Sequence, residues 1–159
     1  MEPKKTREEL IQEAMRCEDR VREEEGKYHY GWALERAAEK WEQAGDKQKA
    51  REYYIKAAEN VKGYANEVDE LKGCLYEKAG ELVKAAECYY EAIDWCVGGT
   101  DLHGDSKPGE MEANELRKRA KKLLDKGLPV KTLREIIIKE DEKKRAFERS
   151  FYEMMRRLK

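Results

Sequence analysis

Residues 41–58 read WEQAGDKQKAREYYIKAA, and 35 residues further on, residues 76–93 read YEKAGELVKAAECYYEAI. Glu42/Glu77, Ala44/Ala79, Gly45/Gly80, Lys49/Lys84, Ala50/Ala85, Glu52/Glu87, Tyr54/Tyr89 and Ala57/Ala92 are identical, eight of 18 positions. Average composition would give about one. A fixed period of this size marks a repeat architecture, in which each unit leaves an apolar face for its neighbour to bury. Such an array holds something else, and it carries no catalytic signature of its own.

Ala44-Gly45-Asp46 in the first copy reads as a turn between two helices: glycine takes the terminating conformation and aspartate caps the next helix. Gly80-Glu81 repeats it. Around these turns, helices are expected over about 28–44, 47–62, 66–79 and 82–97. Their stripes are Leu34, Ala37, Ala38, Trp41 and Ala44; Ala50, Tyr54, Ala57 and Val61; Val68, Leu71, Leu75, Tyr76 and Ala79; and Ala85, Tyr89, Ala92 and Cys96. Small alanines let antiparallel helices approach closely, and Tyr54 and Tyr89 fill the space beside them.

Upstream, Thr6-Arg7-Glu8-Glu9 is a capping box ahead of Leu10, Ile11, Ala14, Cys17 and Val21, so a helix is expected over about 6–24. Downstream, residues 98–109, GGTDLHGDSKPG, read as the one clear loop. Asp101, His103 and Asp105 alternate there but lack the remaining ligands of a calcium loop, so they read as polar loop side chains rather than a metal site. Beyond the loop the period resumes at 47 residues: Ala120, Leu123 and Gly127 fall where Gly73, Tyr76 and Gly80 fell. Thr132 and Lys139 replace the paired alanines, as suits a degenerate end unit. The last helix is expected from Pro129, with Leu133, Ile136 and Ile137 packed. Residues 139–145, KEDEKKR, contain nothing apolar and are expected in solvent. Phe147, Phe151, Met154 and Leu158 then return at steps of 4, 3 and 4, a stripe that wants a partner.

The expected fold is therefore all-α: about seven helices in stacked antiparallel pairs, no sheet, and a long C-terminal helix. It divides as an N-terminal helix (1–26), repeat one (27–63), repeat two (64–98), a loop (99–109), a degenerate repeat three (110–142) and an extension of the last helix (143–159). A chain of 159 residues with 43% charged side chains suits this economy, since helices need only one apolar stripe each. Neither a membrane-length apolar run nor a secretory h-region is visible, so a cytoplasmic location is expected. Cys17, Cys74, Cys88 and Cys96 fit no zinc or redox spacing and read as small core or groove residues. Asn, Gln, Ser and Thr are sparse (three, three, two and three), a habit resembling that of thermophile proteins.

The pattern aromatic-x-x-Ala-Gly, then Lys-Ala, then Tyr and Ala at matched steps, resembles the tetratricopeptide repeat. In that family a small residue precedes an aromatic in the first helix, as Ala38 precedes Trp41 and Gly73 precedes Tyr76. A small residue, an aromatic and an alanine follow in the second, as Ala50, Tyr54 and Ala57 do, and Ala85, Tyr89 and Ala92. The stretch YEKAGELVKAAECYYEAI also looks like the helical repeats of soluble NSF-attachment proteins. Trp32 stands two residues before the family's tryptophan, with Leu34 in its place, and Gly63 and Gly98 replace the closing prolines. The resemblance implies a right-handed superhelix whose first helices line a concave groove holding a peptide or helix. The matching groove positions are Trp32, Glu35, Glu39, Glu42 and Gln43, then Glu67, Glu70, Cys74, Glu77 and Lys78. Lacking the basic residues that clamp acidic C-terminal tails, this groove is expected to suit a basic, partly apolar peptide. A solvated, Glu-rich helix face is the alternative reading of the same residues.

Charge is divided along the chain. Residues 1–110 hold 18 Lys/Arg against 26 Asp/Glu, whereas residues 111–159 hold 16 against 9. That asymmetry points to an attracted partner or to self-association between opposite ends. Three readings follow: an adaptor using the acidic groove, a homo-oligomer joined through Phe147, Phe151, Met154 and Leu158, and an anion or nucleic-acid binder using Arg117, Lys118, Arg119, Lys121 and Lys122. Interspersed glutamates and the absence of interleaved aromatics weigh against the last. His29 and His103 belong to no nucleophile or metal motif, and no phosphate loop is present, so neither enzyme activity nor a cofactor is expected.

Overall fold

The computed structural model describes the backbone of residues 5–63, 65–98 and 107–157; the side chains at 65–66, 95, 97–98, 107–108, 148, 151–152, 154–155 and 157 lie outside the description. Among the described residues there are seven helices and no strand: α1 (Arg7–Glu24), α2 (Tyr30–Gln43), α3 (Lys47–Glu59), α4 (Ala65–Lys78), α5 (Leu82–Gly98), α6 (Lys107–Lys122) and α7 (Val130–Arg157). No helix is long and apolar enough to cross a membrane.

Local chemistry sets the boundaries. The Thr6 hydroxyl accepts from the Glu9 backbone N–H at 3.3 Å, and the Glu9 carboxylate accepts from the Thr6 N–H at 2.7 Å, closing the capping box of α1. The two repeat turns share one construction. At Gly45 (φ +85°) the Asp46 N–H donates to the Trp41 carbonyl at 3.0 Å and the Gly45 N–H to the Glu42 carbonyl at 3.0 Å. At Gly80 (φ +78°) the matching bonds run from Glu81 to Tyr76 at 2.8 Å and from Gly80 to Glu77 at 3.1 Å. This doubly bonded glycine stop satisfies two carbonyls that the helix end leaves free. The degenerate segment makes it once more, with the Leu128 N–H donating to the Leu123 carbonyl at 3.0 Å. There the approach differs: the N–H groups of residues 123–126 each donate three residues back, so α6 ends in a tightened 3₁₀-like turn.

Consecutive helices from α1 to α6 pack side by side, and α7 makes its main contact with α5 rather than with α6. The short connection over residues 25–29 turns α2 back along α1, where Lys40 meets Glu13 and Trp41 meets Glu18. Lys139–Glu87 and Lys143–Glu91 share one offset, so α7 runs in the same direction as α5. The interior is continuous. One part gathers Ala14, Leu34, Ala37, Ala38, Trp41, Ala50, Tyr54, Ala57, Leu75 and Ala79, the other Ala85, Tyr89, Ala92, Leu116, Ala120, Leu123, Leu133 and Ile136, and Tyr76 packs against both. Tyr54 and Tyr89 are the largest fully buried side chains.

Three expectations need correction. α3 stops at Glu59, with Asn60 as its C-cap, three residues early. The loop read over 98–109 is shorter, because α6 already begins at Lys107. Gly109 permits this: a Cβ there would strike the Cys96 carbonyl oxygen, so only glycine lets α6 start against the end of α5. Residues 139–145 are also not simply solvated. Glu140 is 5% exposed, held by Lys143 at 2.6 Å, and Lys139 and Lys143 reach across to α5.

Candidate functional site

Side-chain ion pairs link α2 to α4 and α4 to α6. Lys78 of α4 reaches Glu35 and Glu39 of α2 at 3.0 and 3.4 Å, with its ammonium 5.3 Å from the Tyr54 ring centroid. Arg119 of α6 reaches Glu70 at 2.6 Å and the Cys74 sulfur at 3.6 Å. Lys126, in the turn after α6, meets Glu77 at 2.8 Å. The buried tyrosines anchor the same face from below: Tyr54 donates to Glu42 at 2.9 Å and Tyr89 to Glu77 at 2.6 Å, each across 12 residues.

The electrostatics follow from these contacts. Burial, then the hydrogen bond to Glu42, raises the Tyr54 phenol well above its ordinary value; burial and Glu77 do the same for Tyr89. Burial pushes the Glu77 carboxyl up, but Lys126 and the Tyr89 hydroxyl outweigh it and hold the group below the usual carboxylate range. Burial works against the Lys78 ammonium, and Glu35 and Glu39 overcome it, raising its pKa.

The structure therefore brings the expected groove residues together but neutralises most of them. Glu35, Glu39, Glu70 and Glu77 have lysine or arginine partners from the chain itself, Glu42 takes a tyrosine hydroxyl, and Gln43 takes Lys40 at 3.1 Å. Glu67 alone of the six glutamates makes no such bond among the described residues.

What the face offers outward is aromatic. Trp32 is 69% exposed and Tyr28 68%, with the His29 ring between them at centroid distances of 5.7 and 5.3 Å. Trp32 stands as a ridge between two clefts. On one side a cleft of about 260 Å³ lies between α2 and α4, floored by Val61, Val68, Leu71 and Leu75 and edged by Glu67. Gly31 lets the start of α2 sit against the end of α3 there, since a Cβ would come within 2.9 Å of the Asn60 carbonyl oxygen. On the other side a cleft of about 690 Å³ lies between α1 and α2, lined among others by Cys17, Arg20, Arg36 and Lys40.

The remaining expectations divide. Arg117 is bonded to Asn114, Lys118 to Glu115 and Arg119 to Glu70, which leaves Lys121 and Lys122 as the exposed, unpaired members of the basic set. Phe147 is 72% exposed; the side chains of Phe151 and Met154, and the whole of Leu158, lie outside the described residues, as do Asp101, His103 and Asp105. Among the described residues no cluster of three possible metal ligands occurs. The cysteines are unpaired, and burial pushes the thiols of Cys88 and Cys96 up to about 12 and about 11. Arg20 and Arg36 were not singled out from sequence. They line one cleft only because α2 packs back along α1.

Comparison of the chain with protein-family models, curated proteins and solved structures finds no match to any of them.

Proposed function

We propose that the protein is a non-catalytic interaction module that holds a segment of another protein on the face shared by α2, α4 and α6, with Trp32 as its anchor. The observation that carries this is Trp32 itself, a large ring held out of the core above two clefts. Exposed tryptophan beside a desolvated apolar floor is the common composition of an interface hot spot. The recurrence of the same glycine stop and the same tyrosine–glutamate bond supports a tetratricopeptide-like superhelix, whose first helices line the inner face. Four unpaired thiols fit a cytoplasmic location.

The internal pairing of Glu35 and Glu39 with Lys78, Glu70 with Arg119 and Glu77 with Lys126 offsets half of the negative charge on which recognition of a basic peptide would rest. Shape and the aromatic ridge therefore lead, and charge follows. Panning a displayed random-peptide library on the full chain tests the reading. Peptides should be enriched on the wild type and lost on Trp32→Ala, with helical circular dichroism unchanged. Equal enrichment on both would refute it.

A second reading has its own observation. Every described side chain of α7 from Asp141 onward is exposed, Phe147 included, and beyond the Lys143–Glu91 pair none of the described ones bonds to another helix. Self-association through it predicts a dimer by light scattering that reverts to a monomer on truncation after residue 142.

A further inference from the structure

We infer that the cleft between α1 and α2 receives an acidic segment of the partner protein bearing one aromatic side chain, its carboxylates pairing with Arg20 and Arg36 and its ring stacking on Trp32. This rests on the interaction reading above and assigns the chemistry of what binds.

Three carboxylates line the cleft, and each is already engaged: Glu24 by Lys27 at 3.7 Å, Glu35 and Glu39 by Lys78. Its one lysine, Lys40, is held by Glu13 at 3.1 Å and by Gln43 at 3.1 Å. Two cations remain. Arg20 on α1 and Arg36 on α2 line the same cleft, are exposed, and make no ion pair or hydrogen bond among the described residues. The lining is balanced in number, three glutamates against three basic side chains, but its glutamates have lysine partners, Glu35 and Glu39 sharing Lys78, and its two guanidiniums have none; guanidinium is also the group best shaped to grip a carboxylate.

The same end of α2 adds to this sign. His29 caps the helix without a side-chain hydrogen bond, and no acidic residue occupies its first turn, whereas α1 and α3 open on Thr6 and Asp46 caps. The positive end of the α2 dipole is thus left uncompensated beside Trp32. A ring beside the acid suits the other half of the site: exposed Trp32 lines both the cleft of the arginines and the apolar one that Val61, Val68 and Leu71 line. A basic segment would meet Arg20 and Arg36 head on, with Glu67 as the one unengaged carboxylate of the shared face to receive it.

Fluorescence anisotropy on the full chain tests this with three labelled synthetic peptides: one phenylalanine flanked by aspartates, the same peptide flanked by lysines, and the aspartate peptide with alanine for phenylalanine. The aspartate–phenylalanine peptide should bind tightest. Arg20→Ala and Arg36→Ala should each weaken it about tenfold, the loss of one charge-assisted bond. Arg20→Lys and Arg36→Lys, which keep the charge but not the fork, should weaken it less than the alanine variants do, which separates lost charge from a disturbed helix. Trp32→Ala should weaken the phenylalanine peptide and leave the alanine peptide unchanged. If the lysine peptide binds as tightly, or the arginine variants change nothing while Trp32→Ala still matters, the acidic-segment inference is overturned and the interaction reading survives. If no peptide binds in a Trp32-dependent way, both fail. ATP added as a competitor should not displace the aspartate peptide; displacement with the same arginine dependence would hand the cleft to a nucleotide and overturn the inference.

Discussion

The two helix–turn–helix units, α2–α3 and α4–α5, are built alike beneath and differently on top. Beneath, each has a glycine stop, a lysine over the aromatic of the first helix (Lys49 on Trp41 at 3.8 Å, Lys84 on Tyr76 at 5.2 Å) and a buried tyrosine bonded to a glutamate 12 residues earlier. On top, the 35-residue offset turns Trp32 into Glu67, Arg36 into Leu71 and Gln43 into Lys78. Positions that recur are those that packing requires, because a buried tyrosine needs both its cavity and its acceptor. Positions that differ are free of that demand, so their chemistry is available for recognition. The second unit spends charges within the chain, on α6 and the turn after it; the first unit leaves an aromatic ridge and Arg36 open.

The largest effect should come from the shared part. Tyr54→Ala and Tyr89→Ala each empty a fully buried site, so each should cost about 3–5 kcal/mol in chemical denaturation. Losses that differ by more than about 2 kcal/mol would show the two sites to be energetically unlike despite their geometry. A smaller effect tests a difference within the shared part. Ala38 occupies in the first unit the place of Gly73 in the second, yet a Cβ on Gly73 would lie 2.6 Å from the Tyr89 ring. The Tyr89 hydroxyl is tied to Glu77, so the ring is not free to retreat. Overpacking of about 1–3 kcal/mol should therefore outweigh the gain of about 1 kcal/mol in helix propensity. Gly73→Ala should destabilise; a stabilised variant would mean that the second unit tolerates the alanine of the first.

Most helix positions were legible because their signals are local. The capping box at Thr6 and the glycine stops at Gly45, Gly80 and Gly127 each lie within a few residues of the bonds they make. The start of α6 was not legible, because it depends on Gly109 meeting a carbonyl of another helix. The opposed charges of the two chain regions were visible, but their destination was not. Arg119–Glu70, Lys126–Glu77, Lys139–Glu87 and Lys143–Glu91 join residues 49 to 52 apart, so much of the asymmetry that pointed to an external partner is used inside the chain. Glu140 looked solvated for the same reason: its burial is set by α5, and its own neighbours in sequence are all charged. Trp32 was named from sequence, but its exposure depends on which way α2 turns against α1 and α4.

The smallest expected effect separates two acids of the second unit that carry opposite signs. Glu77 has its folded pKa lowered, since Lys126 and Tyr89 outweigh burial. Its contribution to stability is therefore complete above the ordinary carboxylate value and is lost as pH falls through the folded one. Asp94 is raised, first by burial and then by the nearby Glu140, so its ionisation opposes folding as pH rises. Denaturation curves from about pH 3 to pH 7 should show Glu77→Gln flattening the loss of stability on the acid side. Asp94→Asn should instead raise stability at neutral pH, by about 1–2 °C in Tm, because both groups remain partly solvated and screened. A rise with Glu77→Gln at neutral pH would mean that its ion pair with Lys126 does not repay burial. The charged face of the second unit would then be a cost that the open face of the first unit avoids.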